Sequence, residues 1–163
     1  MNRKHDQLQE YFELWQLFSR ARHAIYSARE LELREYSITL EQAYMIVRIH
    51  DLNNKATQSE LAQFTFRKQN TVSVAVKRME KQGLLKRNKS KDRKNVDIIS
   101  LTRKGEELYN KTLSRNTINN IMSKISIEQR KQLRSCLEIL FTAAVDELAK
   151  FNNQSFLKNI YRM

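Results

Sequence analysis

Residues 69–94 bring together side chains that could bind nucleic acid. The segment 69–73 has four amide and hydroxyl side chains, which can hydrogen-bond to base edges when a helix enters a DNA major groove. Residues 77–94 then contain nine lysines and arginines but only two acidic residues, and such cations bind phosphates by releasing counterions. The polar residues by themselves fit an ordinary solvated helix face better. The combination predicts a nucleic-acid-binding surface.

The positive charge extends over the whole chain, which has 163 residues and a formal net charge of +12. An excess of this size favours a polyanionic partner, although a protein that is basic for other reasons remains an alternative. The length suits one domain, or one DNA-binding module with built-in dimerisation helices. Two glycines and no prolines favour helices over strands, which need many turn residues.

Helical periodicity and capping patterns predict most of the elements. A long amphipathic helix is expected over residues 6–35. Three capping boxes each precede an apolar-periodic run, so each predicts a helix start. These boxes are Thr39–Gln42, Thr57–Glu60 and Ser126–Gln129. A further helix is predicted over residues 69–82, with Val72, Val76 and Met79 facing the core and Gly83 ending it at a positive φ.

After Gly83 the apolar residues no longer follow the helical repeat. Residues 84–87 and the β-branched run 96–101 predict two short strands, and the polar, basic segment 88–95 joins them as a hairpin. Thr102 can cap the next helix, which is expected to continue through Leu108, Leu113, Ile118 and Ile121. The order is a long helix, a helix, a short helix, a helix, a hairpin and two long helices. A short helix, a tight turn, a second helix and a basic hairpin describe a winged helix-turn-helix.

The central block resembles the winged-helix regulators of the MarR (multiple antibiotic resistance) family. The matching elements are Ser59–Ala62, Asn70–Ser73, Met79–Leu84, Asp92–Lys94, Ser100–Thr102 and Gly105. The flanking long helices match too, so the resemblance covers nearly the whole chain. Three features depart from the family pattern: residues 64–68 lack the usual turn glycine, the recognition helix lacks a Ser or Asp cap, and Val74 stands where a polar residue is common.

The resemblance implies a mostly α-helical fold with a small β-hairpin wing. Residues 1–163 would form a single domain, with a winged helix-turn-helix core at 36–105 and dimerisation helices at 1–35 and 106–163. It also implies a homodimer, in which the first and last helices pack across a two-fold axis. The two recognition helices would then enter successive major grooves of a pseudo-palindromic site in double-stranded DNA.

The predicted DNA contacts come from the helix-turn-helix and the hairpin. Asn70, Thr71 and Ser73 are expected to help read sequence, and Arg93 is expected to anchor the wing in a minor groove. The full predicted set is Thr57, Ser59, Lys68, Gln69, Asn70, Thr71, Ser73, Lys77, Arg78, Arg87, Lys89, Lys91, Arg93 and Lys94.

Regulators of this type respond to small aromatic or anionic effectors, to oxidants or to metals. Five residues could line an effector pocket between the first two helices, although a role as dimer or core residues is the preferred interpretation. They are Tyr11, Trp15, His23, Tyr44 and His50. Three scattered histidines and one cysteine present no metal cluster, so neither a metal nor a cofactor is expected. Cys136, between Leu133 and Leu137, is predicted to be a buried core thiol.

The sequence therefore predicts a dimeric, sequence-specific transcriptional regulator, with repression as the default mode and release by a small effector. The alternative is a helical nucleoid or RNA-binding protein without sequence specificity. An enzyme is not expected, because the sequence has no glycine-rich phosphate loop, no nucleophile with a nearby base and no suggestive carboxylate pair. The chain has no apolar run of about 18 residues, so no membrane-spanning helix is expected. A membrane-surface helix protein is disfavoured because the apolar stripes are balanced by partner helices, so no membrane partner is expected. A cytoplasmic, nucleoid-associated location is predicted.

Overall fold

Residues 3–90 and 96–151 are described by this computed structural model, in which helices flank a two-stranded hairpin. The elements in chain order are α1 (Arg3–Arg34), α2 (Leu40–Asp51), α3 (Gln58–Thr65), α4 (Gln69–Lys81), β1 (Leu85–Lys89), β2 (Asp97–Leu101), α5 (Arg103–Thr112), α6 (Asn116–Met122) and α7 (Ile127–Phe151). The fold is mostly helical with a small antiparallel hairpin, which confirms the predicted winged helix-turn-helix architecture with long terminal helices.

The three predicted capping boxes all form. In the first, the backbone N–H of Gln42 donates to the Thr39 hydroxyl at 3.2 Å, and the Gln42 side chain accepts from the Thr39 N–H at 3.0 Å. The box at Thr57 opens α3 in the same way, and the box at Ser126 precedes α7. Each box satisfies backbone donors that the first turn of a helix leaves unpaired, so these helix starts are encoded locally.

The apolar faces of α2, α3 and α4 meet the hairpin in one core. Val72, Val76 and Met79 of α4 are completely buried, as the periodicity predicted. Around them lie buried side chains from the neighbouring elements, among them Met45, Ile46, Ile49, Leu61, Leu85, Ile99 and Leu101. This burial fixes which side of α4 faces inward, and therefore which side remains exposed.

The hairpin is joined to the helical core by its second strand. Leu85 pairs with Leu101 and Lys89 pairs with Asp97, so the register runs without a bulge. On its other side Ile99 forms an isolated bridge with Ala56, through backbone hydrogen bonds of 3.2 and 2.7 Å. The strand β2 is thus held between β1 and the segment that leads into α3.

The single helix predicted after Thr102 is wrong, because the chain forms two helices with a break between them. The α5 helix ends at Thr112 and α6 begins at Asn116, after Arg115 takes a left-handed conformation with φ 45°. The carboxylate of Glu32 in α1 accepts hydrogen bonds from the N–H groups of Asn116 (3.0 Å) and Thr117 (3.3 Å). A distant acidic side chain therefore caps the start of α6, which the local sequence does not reveal.

The terminal helices expose much of their apolar surface. On α1 the exposed set is Leu8, Tyr11, Phe12, Leu14, Trp15, Leu17, Phe18, Tyr26 and Leu31, and on α7 it is Ile127, Leu133, Leu137, Ile139, Leu140, Phe141 and Leu148. Within residues 127–150 only Val145 is buried. The prediction of a buried Cys136 thiol is consequently wrong for the chain by itself, since this thiol is exposed.

Candidate nucleic-acid interface

The turn between α3 and α4 is built without the expected glycine. Phe66 adopts the left-handed conformation instead, with φ 52° and ψ 36°, and its N–H donates to the carbonyl of Gln63 at 3.2 Å. A non-glycine residue pays a steric cost for this conformation. The ring of Phe66 lies edge-on to Phe141 of α7, with 6.0 Å between the ring centroids. The helix-turn-helix turn is therefore in contact with a terminal helix.

The exposed side of α4, which we call the reading face, is opposite the buried valines and Met79. It consists of Gln69, Asn70, Thr71, Ser73, Val74, Lys77 and Arg78; Ser73 is half-buried and the others are exposed. As predicted, no side chain caps the start of this helix, where Lys68 is the exposed N-cap residue. The side chain of Gln58 donates to the carbonyl of Gln69 at 3.1 Å, which ties the start of α4 to α3. Amide and hydroxyl groups therefore lie at the beginning of the reading face and positive charge at its end.

Two predicted contacts at the start of α3 have different environments. Thr57 is buried, and its hydroxyl both accepts from the Glu60 N–H at 3.2 Å and donates to the Glu60 carboxylate at 2.8 Å. Ser59 is exposed in the first turn of the same helix. The Thr57 hydroxyl is therefore engaged in positioning α3, whereas the Ser59 hydroxyl is open to a partner.

A chain of ion pairs joins the two strands of the wing, by which we mean residues 85–101, from the middle of the strands to the end next to the loop. The Arg87 guanidinium lies 3.3 Å from Glu80 of α4 and 3.6 Å from Asp97 of β2, and Lys89 lies 2.7 Å from Asp97. The hydrogen bond from Lys89, with help from the charges of Lys89 and Arg87, holds the pKa of Asp97 below its usual value. Arg87 therefore links the wing to the recognition helix. The predicted contacts Lys91, Arg93 and Lys94 lie outside the described residues.

The five predicted effector residues are distributed along α1 and α2. Tyr11 and Trp15 are exposed on the outer part of α1, where Trp15 stacks on Phe12. His23 is exposed farther along the same helix, with its Nδ1 2.8 Å from the Ser19 carbonyl. His50, near the end of α2, stacks on Tyr109 with 3.8 Å between the rings. Trp15, His23 and His50 therefore contact residues outside the predicted effector set. The sequence pattern did not indicate these contacts.

Tyr44 is the predicted effector residue with the most polar surroundings. Its ring lies edge-on to Tyr26 at 6.3 Å, and the guanidinium of Arg22 lies 5.0 Å from the Tyr26 ring centre. Burial, reinforced by a hydrogen bond with Tyr26, raises the pKa of Tyr44 to about 12. Two phenols and a guanidinium therefore meet where α1 crosses α2. Sequence reasoning missed Tyr26, although it belongs to the apolar stripe of the first helix.

Among residues 3–90 and 96–151, histidine, cysteine and carboxylate side chains form no group able to hold a metal ion. In the same part of the chain, no helix combines the length and apolar character that a membrane span requires.

Comparison with known proteins places the central block in a family. The model of the MarR family matches residues 36–94. No curated protein matches the sequence significantly. Among solved structures, the organohalide-sensing regulator RdhR in its 2,4-dichlorophenol-bound form shares 25% identity, with a TM-score of 0.75 over 88% of this chain and 86% of RdhR.

Two other solved structures show the same fold at lower identity. The transcriptional regulator SlyA is 22% identical, with a TM-score of 0.76 over 85% of this chain and 99% of SlyA. Staphylococcus aureus MepR, solved as a complex with DNA, is also 22% identical, with a TM-score of 0.72 over 78% of this chain and 95% of MepR.

The family match lies on the helix-turn-helix and the wing, while the structural likeness extends over the terminal helices. Members of this family are transcriptional regulators and not enzymes. Together, the match of residues 36–94 and the fold identify the central block as a MarR-type winged helix-turn-helix, and the chain as a whole is similar to transcriptional regulators of this type.

Proposed function

We propose that this protein is a sequence-specific repressor that binds a pseudo-palindromic promoter site as a homodimer and is released by a small effector. The observation that carries the proposal is that α4 is amphipathic, with one side buried in the core and the opposite side exposed. Its apolar side is completely buried at Val72, Val76 and Met79, while its reading face is exposed, polar and basic. Because α4 is anchored in the core by its buried side, its exposed side can enter a major groove without disturbing the core.

The polar part of the reading face would read sequence. Asn70, Thr71 and Ser73 lie in the first turns of α4, which is the end of a recognition helix that approaches the bases. Lys77 and Arg78 follow one turn later, and Ser59 and Lys68 flank the helix start; these would contact phosphates and set the register. The wing, with exposed Lys89 and the predicted anchor Arg93, would extend the contact along the duplex.

Homodimerisation is supported by the apolar surface of α1 and α7. Side chains as large as Trp15 and Leu140 are 60% and 57% exposed, and both helices carry several others like them. An apolar surface of this extent is costly in water, and obligate dimer interfaces often bury more than about 2,000 Å². Packing of these helices against those of a second chain would cover it and would place two reading faces on one duplex.

Repression and effector release complete the proposal. A dimer that occupies two successive grooves of a promoter would exclude other proteins from the same DNA. The two phenols and the guanidinium of Arg22 at the crossing of α1 and α2 offer stacking and charge to a small aromatic or anionic effector. The dichlorophenol-bound form of RdhR supports an aromatic effector. Such a regulator would act in the cytoplasm, associated with the nucleoid.

Selection of bound duplexes from a random pool tests the proposal. We expect an enriched motif with two-fold symmetry, its half-sites centred about one helical turn, roughly 10 base pairs, apart. The same selection with Asn70→Ala should give a motif degraded at one position in each half-site. Binding without any enriched motif would instead support the alternative of a nucleoid or RNA-binding protein, and would overturn sequence-specific regulation.

A further inference from the structure

One residue of the reading face is apolar. Val74 is 69% exposed, and it is the only apolar residue of α4 that is exposed, in a helix that the structure describes throughout. It is four residues after Asn70 and three before Lys77, and side chains at these spacings are neighbours on a helix surface. Val74 is therefore at the centre of the reading face.

An exposed valine contributes little to the stability of this chain. It has a lower helix propensity than alanine, and no core residue covers it. Its nearest neighbours in the helical repeat are polar or basic, so the surrounding surface is poorly suited to burial against another protein. The charge of this surface suits the phosphates of a duplex instead.

The DNA major groove displays one apolar group, the C5 methyl of thymine. A β-branched side chain on a helix has one strongly preferred rotamer, so Val74 can meet a methyl group with little loss of conformational entropy. We propose that Val74 contacts a thymine methyl in each half-site and so makes that position specific for thymine. This inference rests on the proposed function and adds a residue that reads a base without hydrogen bonds.

The test replaces each thymine of the selected site in turn with deoxyuridine, which removes only the methyl group. With the unaltered protein, one position in each half-site should lose about three- to five-fold in affinity, the effect expected for one buried methyl group. Val74→Ala should bind the thymine site correspondingly more weakly and should be insensitive to deoxyuridine at that position. Because alanine is the best helix former, this variant is expected to fold.

Lys77→Ala is the matched control, one turn away on the same face. It should weaken binding to all duplexes but should keep the full deoxyuridine penalty, because it leaves the valine in place. The inference is overturned if no thymine position is sensitive, or if Val74→Ala retains the penalty of the unaltered protein. It is also overturned if Val74→Ala changes the sedimentation of the free protein and leaves the deoxyuridine response intact, since Val74 would then lie in a protein contact. Failure to select any motif would overturn the proposed function itself.

Discussion

The guanidinium of Arg87 in the wing lies 3.3 Å from the carboxylate of Glu80 in the recognition helix. Arg87 also lies 3.6 Å from Asp97 on the opposite strand, so one side chain joins the two strands of the wing to α4. The three side chains are about one quarter to one third exposed, which leaves the pairs accessible to solvent but not fully hydrated. The orientation of the wing relative to the reading face therefore depends on Arg87.

Loss of Arg87 should weaken DNA binding through the position of the wing. For Arg87→Gln we expect a three- to ten-fold loss of affinity, on the basis of about 1 kcal/mol for such partly exposed pairs. The dependence of binding on salt concentration should stay unchanged, because a residue that pairs within the protein releases no counterions from DNA. Lys86→Gln also removes one positive charge, at the neighbouring exposed position of β1. This variant controls for the loss of charge by itself. A salt slope reduced by about two units per dimer in Arg87→Gln would show a direct phosphate contact instead.

The contact between α1 and α6 should make stability depend on pH. Burial alone would raise the pKa of Glu32, but hydrogen bonds from Arg29 and Thr117, together with the charge of Arg29, outweigh it and hold this pKa below the usual 4.5. A lowered folded-state pKa stabilises the protein above the unfolded-state value, and the contribution is lost as the pH falls through the folded-state value. Urea unfolding between about pH 6 and about pH 3 should therefore show a loss of stability beginning below pH 4.5.

Glu32→Gln separates this carboxylate from the other acidic groups. The variant should be less stable than the unaltered protein at neutral pH, and its stability should fall less steeply on acidification, since the shifted group is gone. Glu30→Gln changes an exposed carboxylate two residues away on the same helix and should keep the full pH dependence. Parallel curves for Glu32→Gln and the unaltered protein would contradict the assigned role of Glu32.

The two glycines should respond differently to alanine. A Cβ atom at Gly105 would lie 2.2 Å from the Leu84 carbonyl oxygen and 3.2 Å from the Leu101 side chain, so backbone must move to admit it. We expect Gly105→Ala to cost about 3 kcal/mol, at the upper end for overpacking. Gly83 has φ 72° with no atom closer than 4.0 Å, so Gly83→Ala should cost only the left-handed strain of about 1 kcal/mol. Thermal unfolding of both variants measures the difference, and equal losses would contradict the packing at Gly105.

The apolar faces of the terminal helices should be needed for dimerisation. Introducing a charge into each face, as Trp15→Glu with Leu140→Glu, should give a monomer at low micromolar concentration in sedimentation experiments. Gln16→Glu adds a charge at the neighbouring exposed polar position of α1 and should leave the dimer intact. A double variant that sediments as the unaltered dimer would remove these faces from the interface.

Features with local causes could be predicted from the sequence, and features with distant causes could not. The capping boxes, the burial of Val72 and the end of α4 shortly before Gly83 each follow from a few neighbouring residues. The break before α6 depends on Glu32, which is more than 80 residues away in the chain. No local pattern marks such a contact.

The candidate site also combines features with local causes, which the sequence shows, and features with distant causes, which it does not. The polar and basic residues of the reading face are apparent in the sequence, because the buried side of α4 determines its exposed side. The left-handed Phe66 and the ion pairs of Arg87 are not, because they depend on contacts with Phe141, Glu80 and Asp97. A count of basic residues in the wing gives no indication that two of them, Arg87 and Lys89, pair within the protein.

The central claim is that the reading face distinguishes DNA sequences, and the ratio of two dissociation constants tests it most directly. Fluorescence titration at physiological salt would compare a selected duplex with a scrambled duplex of the same length and composition. Specific regulators bind their sites about a thousand-fold or more tighter than other DNA, and we predict a ratio of at least that order. The ratio should fall by about ten-fold or more in Asn70→Ala, because each half-site loses a base contact. A ratio close to one for the unaltered protein would contradict the account.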